Sequence, residues 1–253
     1  MRIFGITDKG LVRETNQDSF ATEPRLGLMI VADGMGGHAA GEQASSSAVM
    51  TVLEVFSRYD FDKGTLGGSE ETYTVDQIIA LALQEANERI MIASVSDAAL
   101  QGMGTTAIVA VQRGQALHIG HIGDSRVYRV RDGQTDQITE DHSIVQQLVR
   151  AGAISQAEAQ VHPYKNVITR CLGMASEIEP DLMQVPFEVG DRFVICSDGM
   201  SNFVSNQRLI EIVGGCDDIE EAGKMLISEA NARGGADNIT VVLMFADGGR
   251  SQD

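Results

Sequence analysis

Short apolar runs in this chain repeatedly end or begin at an aspartate. The run 28–32 ends in Asp33-Gly34, 118–123 ends in Asp124-Ser125, and 193–197 ends in Asp198-Gly199. Asp237-Asn238 opens the run 239–243, and Asn16-Gln17-Asp18 opens a further short one. Runs of this length, rich in Val, Ile, Leu and Met and bounded by Gly, Asp or Asn, read as strands. An Asp-Gly after a single strand is ordinarily a turn, with the aspartate bonding its own backbone and glycine supplying positive φ. Five such sites on buried strands set a tighter condition, because strand ends along one sheet edge converge. Clustered carboxylates repel one another and stay partly protonated unless a cation neutralises them. Oxygen ligands with no His or Cys beside them suit Mg²⁺ or Mn²⁺ better than zinc.

Strands are expected at 2–7, 27–32, 105–112, 116–122, 126–131, 191–197 and 238–245, with a hairpin turn at 112–115. Helices are expected at 41–59, where Ala44, Ala48, Val52, Val55 and Phe56 share a face, and at 75–94, where Val75, Ile78, Ile79, Ala82, Ala86 and Ile90 do. Further helices are expected at 219–232, 143–151 and 206–213. Strands come in groups with helices between the groups, without strict alternation. That pattern favours an antiparallel α+β fold over a doubly wound parallel sheet. The stretches 60–71 and 214–218 read as surface loops. A single domain over 1–246 with a short tail at 247–253 is expected.

Asp plus Glu number 36 and Lys plus Arg 19, a net charge of −17. Such a field repels nucleic acid and anionic membranes, so neither is an expected partner. With 43% hydrophobic and 22% charged residues the chain is too apolar to be disordered. The three cysteines, Cys171, Cys196 and Cys216, match no close-set metal pair and read as reduced packing thiols. No leader-type apolar segment stands at the start and no apolar run approaches the roughly 18 residues of a membrane span. A cytoplasmic monomer is the expectation.

Asp33 also opens the glycine-rich stretch Asp33-Gly34-Met35-Gly36-Gly37-His38, which lets backbone groups approach an ion or phosphate. From here the chain resembles bacterial members of the metal-dependent PP2C (PPM) family of protein serine/threonine phosphatases. The resemblance is carried by Arg13-Glu14-Thr15-Asn16-Gln17-Asp18, Val31-Ala32-Asp33-Gly34-Met35-Gly36-Gly37 and Gly102-Met103-Gly104-Thr105-Thr106. It continues through Ile122-Gly123-Asp124-Ser125-Arg126, Thr139-Glu140-Asp141-His142-Ser143, Thr169-Arg170-Cys171-Leu172-Gly173, Cys196-Ser197-Asp198-Gly199 and Asp237-Asn238-Ile239-Thr240. These motifs stand in the family's order over nearly the whole chain.

The resemblance implies a four-layer α-β-β-α sandwich with metals in a cleft at one end of the two sheets. It implies that Asp33 bridges two Mg²⁺ or Mn²⁺ ions, that the Gly34 carbonyl ligates the second, and that Asp198 and Asp237 hold the first. Asp18 would bind through metal water, Asp124 with Asp198 would form a weaker third-metal site, and Arg13 would hold the substrate phosphate. A mobile flap is implied at about 143–166. Two ions about 4 Å apart can activate a water that attacks phosphorus in line with the departing Ser or Thr oxygen. No cysteine nucleophile is then needed.

Many eukaryotic members place a histidine right after the Asp-Gly as general acid. Here that residue is Met35, which leaves His38 or a metal-bound water for the task. His118 and His121 alternate with apolar residues and read as packing, and His142 as part of a turn before the flap. Phosphoprotein substrates and a cognate bacterial Ser/Thr kinase are the implied partners. Two rivals remain: a silent phosphopeptide-binding or metal-sensing module, opposed by the complete carboxylate set, and a metal-dependent nuclease, opposed by the net charge.

Overall fold

The computed structural model describes residues 1–37 and 39–247, so His38 and residues 248–253 of the expected tail lie outside the described residues. The chain begins with β1 (Arg2–Asp8), β2 (Asp18–Glu23), β3 (Leu28–Met35) and helix α1 (Ala39–Ser57). A small pair, β4 (Tyr59–Asp60) and β5 (Thr65–Leu66), leads to α2 (Val75–Ser96). Next come β6 (Gly104–Thr105), β7 (Ala107–Arg113), β8 (Ala116–Ile122), β9 (Arg126–Arg131) and β10 (Gln134–Gln137). Two short helices follow, α3 (Ile144–Arg150) and α4 (Gln156–Val161). The remainder holds β11 (Asp181–Pro186), β12 (Arg192–Cys196), α5 (Asp198–Ser201), α6 (Asn206–Leu209), α7 (Ile219–Ala232) and β13 (Ile239–Phe245).

Two antiparallel sheets result, with orders β1-β13-β12-β9-β10 and β11-β8-β7-β3-β2, and β6 beside the end of β3. β3, β7, β12 and β13 are largely apolar because they are buried on both faces. On β3, Leu28, Ile30 and Ala32 pack beneath α1 and α2. Met29 and Val31, on the other face, join Phe193, Ile195, Val242 and Met244 of the second sheet between the sheets. The outer face of that second sheet, with Val194, Val241 and Leu243, is covered by α7 through Ala222, Leu226 and Ala230. This is the α-β-β-α sandwich. Fully burying side chains of the size of Phe193 or Ile195 contributes about 1.5–3 kcal/mol each.

The expected apolar faces of α1 and α2 are the buried ones, apart from Val75, which is half-buried. Thr74 and Gln77 form a capping box that starts α2. The differences from expectation have local causes. β3 runs past Asp33 to Met35 because β6 pairs with its last two residues. The helix expected at 206–213 is α6 followed by a π-helical turn over Ile210–Gly214. The loop expected at 60–71 contains β4 and β5. β10 and β11 are edge strands with mixed burial, and their polar character hides them in a hydrophobicity pattern.

Candidate metal centre

The five aspartates lie at one end of the sandwich. Asp33 and Asp18 come from β3 and β2, where they stand directly opposite in the register. Asp124 follows β8 in the same sheet, while Asp198 follows β12 and Asp237 precedes β13 in the other. The antiparallel order puts all these strand ends on one edge.

Hydroxyl, amide and backbone contacts fix the strand ends that carry the carboxylates. The Asp33 N–H donates to Thr106 Oγ1 at 3.0 Å, and the Asp33 carbonyl accepts from Thr106 N–H and from Thr105 Oγ1, both at 2.9 Å. Thr106 Oγ1 also lies 2.8 Å from Ser125 Oγ, so one hydroxyl ties the Asp33 strand to the turn carrying Asp124. Ser197 Oγ donates to Asp18 Oδ2 at 2.7 Å and accepts the Thr240 N–H at 3.0 Å, joining the two sheets behind the carboxylates. Asn238 Oδ1 accepts the Gln17 N–H at 2.8 Å, and its Nδ2 donates to the carbonyls of Lys9 and Thr15, each at 2.9 Å. The loop that presents Arg13 is thereby anchored beside Asp237.

Two glycines permit the close approach. A Cβ on Gly34 would stand 2.0 Å from the Gly41 carbonyl and 2.6 Å from that of Gln17, and a Cβ on Gly199 would stand 2.0 Å from the Asn238 carbonyl. Any larger residue would push the Asp33 or Asp198 strand end out of the cluster.

The electrostatics follow from this crowding. Burial, then the charge of Asp18 and the other aspartates, holds the Asp33 carboxyl well above the usual carboxylate range. Burial raises Asp18 to about 6, against the lowering effect of hydroxyl hydrogen bonds. Burial and the charge of Asp237 raise Asp198 to about 6, and it shares a hydrogen bond with Asp33. Burial, with the charges of Asp198 and Asp141, raises Asp124 to about 7. Among the described residues, the buried Asp18 Oδ1 has no hydrogen-bond partner. The nearby Arg126 lowers Asp198 and Asp124 only in part, because its fork is committed to Asp141 through Nε and Nη2 at 2.9 and 2.7 Å. An all-oxygen cluster, short of protein cations and with an orphaned buried oxygen, fits hard divalent cations.

Arg13 is half-exposed and its Nη2 donates to Asp237 Oδ2 at 2.8 Å. That hydrogen bond, ahead of the charges of Asp198 and Asp33, raises its pKa. The structure therefore places every described candidate, Arg13, Asp18, Asp33, Gly34, Asp124, Asp198 and Asp237, around one centre. The candidate His38 lies outside the described residues. Sequence reasoning did not single out Thr106, Ser197 or Asn238 as positioning groups. Only their place inside the quoted motifs hinted at them.

The sequence model of the family described as protein phosphatase 2C matches residues 12–226. A serine/threonine phosphatase, stp, of Listeria monocytogenes is 37% identical over 244 residues, covering 95% of this chain and 94% of its own. The crystal structure of the Mycobacterium tuberculosis serine/threonine phosphatase PstP/Ppp superposes with a TM-score of 0.86 at 36% identity, covering 98% of this chain and 99% of that one. A structure of the PstP catalytic domain in complex with two manganese ions aligns with a TM-score of 0.82 at 36% identity, over 96% of each chain. With that sandwich, that aspartate edge and this similarity along almost its whole length, the chain belongs to the protein phosphatase 2C family of metal-dependent serine/threonine phosphatases.

Proposed function

We propose that this phosphatase hydrolyses phosphoserine and phosphothreonine in proteins at the aspartate centre, using two divalent ions. The reading is carried by one observation: four aspartyl groups with raised pKa converge at one end of the sheets, and among the described residues none of them forms an ion pair. Asp33 would bridge the ions, the Gly34 carbonyl would ligate one, Asp198 and Asp237 would hold the other, and Asp18 would act through water. Asp124 with Asp198 would form a weaker third site. Bound Mn²⁺ or Mg²⁺ would lower the pKa of a water and neutralise charge developing on the phosphoryl oxygens.

The chain's own groups do the rest. Arg13 would exchange its Asp237 contact for the substrate phosphate, where a planar fork can meet two oxygens at once. Ser197, Thr106 and Asn238 hold the carboxylates in place and so spare the reaction that reorganisation. Met35 carries no exchangeable proton, so protonation of the leaving Ser or Thr oxygen falls to His38 or to water.

Residues 1–246 would act as one domain with 143–166 as its flap. The setting we propose is a cytoplasmic monomer that opposes a Ser/Thr kinase. Among the described residues no helix is long and apolar enough to cross a membrane. The deciding assay compares hydrolysis of p-nitrophenyl phosphate, a phosphothreonine peptide and a nucleotide diester, each with Mn²⁺ and with EDTA. Metal-dependent turnover of the peptide supports the reading. Turnover that survives chelation removes the metal role, and turnover confined to the diester favours a nuclease.

A further inference from the structure

Behind the Asp124 turn lies a cluster that the proposed chemistry does not use. Among the described residues, the ligand atoms of His121, His142 and Asp181 all lie within 4.8 Å of one another, the spacing of a small metal site. The hydrogen bonds of His142 commit that ring elsewhere, although both ring nitrogens of His121 have no hydrogen-bond partner among the described residues. His142 Nδ1 accepts the Gly123 N–H at 3.1 Å, so the neutral ring carries its proton on Nε2, which faces Asp181 Oδ2 at 3.2 Å. A ring in that tautomer has no lone pair left for a metal.

The same bonds assign another role. Gly123 is the residue before Asp124. Besides accepting the Gly123 N–H, His142 donates its own backbone N–H to the Gly123 carbonyl at 2.8 Å, so the turn is clamped on both sides. Gly123 has φ +114° and a Cβ there would meet Thr106 at 2.6 Å, so only glycine fits this turn. The opposite side of the ring is held by Asp181 on β11, whose other oxygen accepts from Arg170 Nη1 at 3.0 Å. His142 is 7% exposed and its ring packs 4.7 Å from that of His121. Its carbonyl accepts the Thr169 N–H at 2.7 Å, and beside it Ser143 pairs with Ile168 and the Ile144 N–H reaches the Val167 carbonyl at 2.9 Å. The two ends of segment 143–166 thus meet at this residue.

We propose that His142, oriented by Asp181, is a positioning residue that aims the Asp124 carboxylate at the weak ion site and couples that aim to the base of the 143–166 segment. The inference rests on the reading of Asp124 as a ligand of the third ion. Groups that orient a ligand in this way typically change metal affinity by about 10- to 100-fold when removed.

The test titrates Mn²⁺ calorimetrically into wild type, Asp124→Ala, His142→Asn, His142→Gln and Asp181→Ala. Asparagine can place an oxygen near the position of Nδ1 and still accept from Gly123. Glutamine reaches towards Asp181 but leaves Gly123 without its acceptor. We expect the weak ion to bind about 10-fold more loosely in His142→Gln, within about 2-fold of wild type in His142→Asn, and a few-fold more loosely in Asp181→Ala. The tight ions should bind as in wild type throughout. Asp181→Ala, at a partly exposed edge-strand position, carries the test should His142→Gln not fold.

Equal weakening in Asn and Gln variants that tracks lost thermal stability would mean plain packing and would overturn the inference. Loss of the weak ion in Asp124→Ala, with His142→Gln and Asp181→Ala unchanged, overturns it while leaving the Asp124 reading intact. Retention of the weak ion in Asp124→Ala defeats that reading and the inference with it.

Discussion

At one end of β12, Asp191 is buried at 1% exposure and grips the guanidinium of Arg131 through both its oxygens. Burial alone would raise its pKa, but the Arg131 hydrogen bonds and the Glu188 N–H bring the carboxyl below its ordinary value. At the other end of the same strand Asp198 stands among like charges, and burial followed by the charge of Asp237 raises it to about 6. One aspartate has its counter-charge hydrogen-bonded within the fold; at the other the charges of Arg126 and Arg13 do not outweigh burial and Asp237. A buried carboxylate without a protein cation is costly. The contrast supports the proposal that an external cation enters at the Asp198 end, and makes the Asp191 end scaffold.

The comparison breaks most sharply at Asp33. Asp33→Asn should leave the fold intact and lower turnover at least about 100-fold, the scale of losing one preorganised electrostatic group. Asp198→Asn and Asp237→Asn should act in the same direction, with weaker metal binding by calorimetry. Near-normal turnover of Asp33→Asn at saturating Mn²⁺ would falsify its bridging role.

Arg13→Ala comes next. Loss of a charge-assisted hydrogen bond of about 1.5–3 kcal/mol corresponds to roughly 10- to 150-fold in kcat/KM on a phosphopeptide. Because Arg13 holds Asp237 in the structure, its removal should leave metal affinity unchanged or slightly tighter. Lysine should rescue only part, since it lacks the fork. Weakened metal binding in Arg13→Ala would place the residue among the groups that hold the ions.

The scaffold end should respond in stability instead. Arg131→Met strands Asp191 in the interior, and the melting temperature should fall by several degrees, while kcat/KM measured well below the transition stays close to wild type. A drop in turnover without a drop in melting temperature would show that the two ends of β12 are not independent.

The last test concerns pH. Asp18, Asp198 and Asp124 titrate in the fold at about 6, 6 and 7, against 3.8 for an unperturbed aspartate. Between those limits the folded chain binds more protons than the unfolded one, so stability falls as pH rises. With EDTA the contribution is fully present below about pH 4 and lost through about pH 7. The melting temperature should drop over that window. Saturating Mn²⁺ should flatten or reverse the trend, because the ion binds the ionised form. An identical slope with and without Mn²⁺ would mean that no cation replaces these protons.

Much of the fold was legible before any coordinates, for a physical reason. The interior strands are buried on both faces, so they appear as unbroken apolar runs, and the helices cover one face, so they show a periodic stripe. β10 and β11 escaped because edge strands keep polar residues. The ligand candidates were legible because aspartate at the end of a buried run is conspicuous. Thr106, Ser197, Asn238 and His142 were not, since the role of a hydroxyl, amide or imidazole depends on partners that only folding delivers. Ser197 serves Asp18 across 179 residues and Asn238 serves Gln17 across 221.

By itself the amino-acid sequence determined the layered α+β class, the family resemblance and the oxygen-rich chemistry of the centre. These depend on side-chain type, on order along the chain and on local periodicity. The tertiary structure decided which acids are compensated. Asp191 and Asp198 border one apolar run from opposite sides and look alike along the chain. Strand pairing carries Arg131 to the first, commits Arg126 to Asp141, and leaves the second among aspartates. Electrostatic energy depends on distance and burial in three dimensions, and neither is written in the order of residues.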